Sequence, residues 1–123
     1  MTKTEMKNRT KEYAKRVVRV CTALTENWVS QTIGKQFLRC GTSVGSNYRA
    51  ACRAKSTADF LNKLKIVEEE CDESLFWMEV LIEGGFVPER RLQRLMQEGN
   101  ELLAIIVAAV KTTRAASNCR LRV

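Results

Sequence analysis

Four side chains in the first half of the chain could do directed polar chemistry. Gln36, Arg39, Ser43 and Asn47 follow one another at spacings of three, four and four, so on a helix they line one edge. Amide, guanidinium and hydroxyl groups in a row can bond to carboxylates or to phosphate oxygens. A matching set of acids lies further on, in Glu69, Asp72, Glu73, Glu79 and Glu83. A bond from Arg39 or Asn47 to Glu73 would fix the packing of two helices, within a subunit or across an interface. Direct ligand binding is the other reading. The packing role is favoured because partly buried groups of this kind need partners.

A second constellation is basic. Lys11, Lys15, Arg16 and Arg19 cluster in one segment, and Lys35, Arg49 and Arg53 join Arg39 in the next. Surfaces of this kind attract phosphate backbones through counterion release. No aromatic residues are interleaved with the bases for stacking, and no pattern of an RNA-recognition, KH or zinc-finger module is present. Any nucleic-acid contact should therefore be led by the backbone and weakly specific. A solvated basic face that aids solubility is the plainer alternative.

Catalysis finds little support. The chain has no histidine, which leaves carboxylates, lysines or an activated cysteine for proton transfer. The acids fall in one outward row, and no glycine-rich phosphate loop is present. Cys21, Cys40, Cys52, Cys71 and Cys119 are odd in number and contain no C-x-x-C pair. They read as small apolar residues in a reducing compartment rather than as disulfides or zinc ligands. No enzyme activity, cofactor, metal or small-molecule substrate is expected.

These residues must be positioned by helices. One proline and six glycines in 123 residues, with runs of Ala, Leu, Glu, Lys and Arg, favour that class. The apolar period of three and four predicts helices over about 4–24, 31–54, 57–83 and 88–116. Met6, Tyr13, Val17, Val20, Cys21 and Leu24 share a face of the first. Ile33, Phe37, Cys40, Gly41, Val44, Tyr48, Ala51 and Cys52 do so in the second. Phe60, Leu64, Val67, Cys71, Ser74, Met78 and Leu81 form a narrow seam on the third. Leu92, Leu95, Met96, Gly99, Leu102, Leu103, Ile106 and Val110 form the core stripe of the fourth.

The connections carry their own signals. Ser56 followed by Asp59 reads as a cap, Gly84-Gly85 as a stop and Pro88 as a first-turn residue. Trp28 is expected to cover the open end of the bundle, and the basic tail over 117–123 to fray. Short connections imply an all-α, antiparallel, up-down-up-down four-helix bundle. It forms one domain, and no apolar run reaches the length of a membrane span. The charged N-terminus lacks the apolar segment of a secretory signal, so a cytoplasmic location is expected, with no membrane partner.

Three features point to self-association. Small residues on the second helix, Gly41 and Gly45, permit close approach by a neighbour. Phe76 and Val80 sit among the acids near Glu69, and the fourth helix is apolar all round from Leu102 to Val110, Ile105 included. More apolar surface is present than four helices should cover, so these positions are the expected contacts between copies.

The ordered set Gln36-x-x-Arg39-x-x-x-Ser43-x-x-x-Asn47, a basic turn, Ser56-x-x-Asp59-Phe60 and Glu73 resembles the 23S rRNA-intervening-sequence protein family, over about 7–114. Departures exist. Asn47-Tyr48-Arg49-Ala50-Ala51 stands where the family reads Asn-Ile-x-Glu-Gly, Gly45-Ser46 replaces a frequent proline, and Glu69-Glu70 replaces a Gly-Ser. The resemblance implies a bacterial four-helix bundle closed into a homo-oligomer, typically a pentamer. It also implies a basic surface with a connection to RNA or the ribosome and no enzyme activity. Related accessory variability proteins of retroelements form pentameric bundles that engage RNA and a reverse transcriptase. The expectation is thus a non-catalytic oligomer that binds RNA or a ribonucleoprotein, the alternative being a protein-binding adaptor with no nucleic-acid role.

Overall fold

The computed structural model describes residues 1–121, with side chains through Asn118. Its elements are α1 (Lys3–Thr22), α2 (Trp28–Cys52), α3 (Thr57–Glu83) and α4 (Glu89–Leu121), with no strand among the described residues. The helices pack as a bundle. Each is seated against its neighbour in sequence, with α2 and α3 in the most extensive contact, and α1 touches α4 over a smaller area. Along α1 and α2 the touching residues step in opposite directions: Thr10 meets Gly45, Val17 meets Gly41 and Leu24 meets Gly34.

The caps explain where the helices begin. Thr2 accepts from the Glu5 amide and Glu5 reaches back to the Thr2 amide, a complete capping box. α2 starts earlier than its apolar period predicts, because the Asn27 carboxamide oxygen accepts from the amides of Val29 and Ser30. Ser56 accepts from the Asp59 amide at 3.1 Å, whereas Asp59 bonds the amide of Lys55 rather than that of Ser56. At the other end of α3, Gly85 takes φ +79°, and the amides of Phe86 and Val87 both return to the Leu81 carbonyl. Only glycine adopts that conformation without penalty.

The core draws on all four helices. Tyr13, Val17, Phe37, Val44, Leu64, Val67, Met78, Leu81, Leu92, Leu102 and Ile106 are fully buried, each side chain contributing roughly 1.5–3 kcal/mol. The Tyr13 hydroxyl is bonded to Ser74 Oγ at 2.7 Å. Ser74 in turn donates to the Cys71 carbonyl, so this polar pair costs the interior little. Cys40 and Cys71 lie in the core as free thiols, and burial pushes both up to about 12. Protonated thiols at that depth behave as small apolar groups. The side chain of Cys119 lies outside the described residues.

Three expectations change. Trp28 opens α2 and is 78% exposed, so it covers no end of the bundle; the early cap at Asn27 leaves it on the outward side of the first turn. α4 continues to Leu121 rather than ending near Ala116, since nothing between Ala115 and Asn118 breaks a helix; the last residues of the tail lie outside the described ones. The apolar waist of α4 is largely used inside the subunit. Leu102, Ile106 and Val110 are buried, Leu103, Ile105 and Ala109 pack half-buried against the core, and the outward positions Ala104 and Ala108 are small.

Candidate functional site

The small face of α2 meets α1 of the same subunit. A Cβ on Gly41 would lie 2.7 Å from Val17 Cγ2, and one on Gly45 would lie 3.1 Å from the Thr10 carbonyl oxygen. Close approach was the correct reason for these glycines. Within the subunit that neighbour is α1, which buries Gly41, while Gly45 stays half-buried at the edge of a groove.

The polar stripe divides. Arg39 reaches α3, where it pairs with Glu70 at 3.2 Å and with Glu73. Glu73 also accepts from the Trp77 indole at 3.1 Å. That indole bond is the largest effect and holds the Glu73 carboxyl below the ordinary carboxylate range; desolvation, the next largest, opposes it, and the bond and charge of Arg39 add smaller lowering effects. Ser43 and Asn47 instead bond backbone carbonyls one turn earlier on α2, and Gln36 is exposed. Among the described residues the stripe's one tertiary link is thus Arg39, within the subunit.

A second arginine does the same work without having been singled out in the sequence. Arg9 on α1 bonds Glu98 through both Nε and Nη2 and reaches Glu101 at 3.1 Å. The acids of α3 and α4 are thus partly neutralised from α2 and α1.

Four other cations gather elsewhere. Lys7 and Lys11 on α1 and Arg49 and Arg53 on α2 line a groove of about 460 Å³ between the two helices. Its other walls include Asn8, Ser46 and Cys52, its floor is the close approach at Gly45, and among the described residues no carboxylate lines it. Among the described residues none of the four cations makes an ion pair, whereas Arg9, Lys15 and Arg39 do. The structure therefore brings together Lys11, Arg49 and Arg53 from the predicted set. Lys15 is held by Glu12 at 2.8 Å, and Arg16 and Arg19 lie on α1 outside the groove. Lys35 borders a different surface hollow beside Glu26 and Cys21. Lys7 was missed, although its spacing of four from Lys11 was visible.

The opposite side of the bundle is acidic and partly apolar. Phe76 is 51% exposed and stands edge-on to Trp77 with centroids 5.0 Å apart. It borders a shallow hollow with Asp72, Glu79, Met96 and Asn100. Val80 is half-buried and Glu69 exposed. Among the described residues no group of three or more His, Cys, Asp or Glu side chains could hold a metal ion, and no helix is long and apolar enough to cross a membrane.

An all-helical four-helix chain with a cation-lined groove on one side defines a class but not a chemistry. The chain belongs to the 23S rRNA-intervening sequence protein family, whose model matches residues 2–108. This is the family that the ordered motifs resemble. The fold is also that of a crystal structure from Bacteroides thetaiotaomicron, a protein with unknown function from the S23 ribosomal protein family. The likeness has a TM-score of 0.81 at 32% identity and covers 86% of this chain and 98% of the other. No curated protein matches.

Proposed function

We propose that this chain is a non-catalytic, homo-oligomeric binding module that engages RNA or a ribonucleoprotein through its basic surface in the cytoplasm. The subunit is read as an antiparallel up-down-up-down bundle, supported by the opposed stepping of α1 and α2 and by the contact that brings α1 back to α4. Copies close into a ring, a pentamer on the family resemblance, through the side bearing Phe76 and Val80.

The observation that carries the reading is the groove edged by Lys7, Lys11, Arg49 and Arg53, whose lining among the described residues holds no carboxylate. In a chain of net charge +7, the internal pairs use Arg9 and Arg39 against α3 and α4 and leave this excess to an anionic partner. Retention of RNA on a filter, measured at about 50 and 200 mM salt, tests it. Binding at the lower concentration should fall steeply at the higher. No retention at low salt removes the RNA reading and leaves the protein-binding adaptor, which the exposed Phe76 favours.

A further inference from the structure

We propose that the α1/α2 groove is a clamp for consecutive phosphates of a single nucleic-acid strand, a site that rests on the RNA reading and gives it an address. Lys7 and Lys11 are one helical turn apart, as are Arg49 and Arg53. A spacing of four residues separates the rungs on each helix by about 6 Å. Two cationic rungs from each wall, above the floor at Gly45, suit a chain of negative charges better than one isolated anion.

The chemistry of the lining narrows the ligand. Arginine offers a planar fork to phosphate oxygens, and lysine a mobile point charge. Asn8 adds an amide, and Ser46, whose hydroxyl makes only a 3.3 Å bond to the Ser43 carbonyl, can turn toward a ligand. No aromatic ring borders the groove, so bases have nothing to stack on and the strand is held by its backbone. A volume of about 460 Å³ lies within the range of small-ligand pockets; it admits a short strand segment and not a duplex. Binding is accordingly indifferent to sequence.

Vicinal phosphates also occur in free polyphosphates, and the test separates the two sources. Affinity is measured by fluorescence anisotropy for a labelled single-stranded RNA at about 50 mM salt, with tripolyphosphate tested in parallel by calorimetry. The proteins are wild type, Lys7→Gln/Lys11→Gln, Arg49→Gln/Arg53→Gln and the control Arg16→Gln/Arg19→Gln, each checked for helicity. Each groove pair should weaken RNA binding at least about tenfold and lower the salt slope by about 1.4, while the control, with the same loss of charge, changes affinity less than about threefold. Bound RNA should slow alkylation of Cys52, which borders the groove, and leave Cys21 unaffected.

Wild-type RNA binding that the groove and control pairs weaken equally would overturn the clamp and leave the RNA reading standing. Tripolyphosphate binding that the groove pairs abolish, with no RNA binding, would keep the clamp and remove the RNA reading. Binding of neither ligand sinks both.

Discussion

The α1/α2 side and the α3/α4 side of the bundle rely to different degrees on close backbone approach and show opposite charge to their surroundings. On the first, backbones are drawn close by Gly34, Gly41 and Gly45, against which Leu24, Val17 and Thr10 are pressed. On the second, large side chains dominate, with Leu75, Met78, Leu95, Leu102 and Ile106 filling the core around a close approach at Gly99, against which Tyr13 and Leu75 are pressed. The first leaves a carboxylate-free groove edged by four cations; the second holds Glu70, Glu73, Glu98 and Glu101, each answered by an arginine sent across from α1 or α2. An uneven charge distribution along the chain is thus partly cancelled inside the subunit. The α1/α2 groove keeps its positive charge.

The most damaging change should be Gly41→Leu. Its Cβ alone meets three Val17 side-chain atoms at 3.2 Å or less, and Val17 is fully buried, so α1 must move. Overpacking of this kind costs about 3 kcal/mol, measurable by urea denaturation. A volume-conserving change on the other side, Leu102→Met, should cost less than about 1.5 kcal/mol. Equal losses would erase the distinction between a backbone-set seam and a side-chain-filled one.

Next in size is Phe76→Glu, which places charge on the acidic side where copies are proposed to meet. Self-association should weaken by about thirtyfold, or roughly 2 kcal/mol, with the mass from light scattering falling toward that of a monomer. An unchanged mass would remove Phe76 from the contact. A smaller loss is expected for Glu98→Gln. Arg9 grips this carboxylate with two nitrogens, but the arginine side chain is 29% exposed, and solvent screening limits the loss to about 1 kcal/mol. A neutral result would mean that the pair aligns α1 with α4 without stabilising them.

Much of this division could be read from the chain, and the rest fails for physical reasons. The apolar period identifies Tyr13, Val17, Phe37, Val44, Leu64, Met78 and Leu102 as core, because a helix repeats its buried positions every three or four residues. Gly84-Gly85 marks a stop through a conformational requirement that needs no neighbour. The start of α2 was obscured because Asn27 caps from within a polar run that contains no glycine or proline. Which helix presses on Gly41 is a tertiary fact; a small residue announces close approach and not the identity of what approaches. Arg9 and Glu98 are 89 residues apart, beyond any periodicity. Lys15 is different: its partner Glu12 was legible at i,i+3, and counting both would have removed it from the free cations.

The finest test of the contrast is pH, because Glu73 is an acid of α3 stabilised by an arginine of α2 and an indole of its own helix. Its carboxyl is held below the ordinary range, chiefly by the Trp77 N–H and then by Arg39. A depressed carboxylate contributes stability that is complete above the unfolded value of about 4.3 and is lost as pH falls through the folded value. The side chain is 37% exposed, so screening keeps the contribution below about 1 kcal/mol. Glu73→Gln should therefore be slightly less stable than wild type at neutral pH, and the two melting curves should converge on acidification below the ordinary carboxylate range. Trp77 emission should shift over the same interval in wild type alone, since the variant lacks the titrating partner. A stability gap that persisted at low pH would assign the effect of Glu73 to packing, and the charged part of the α2/α3 link would then rest on Arg39 and Glu70 alone.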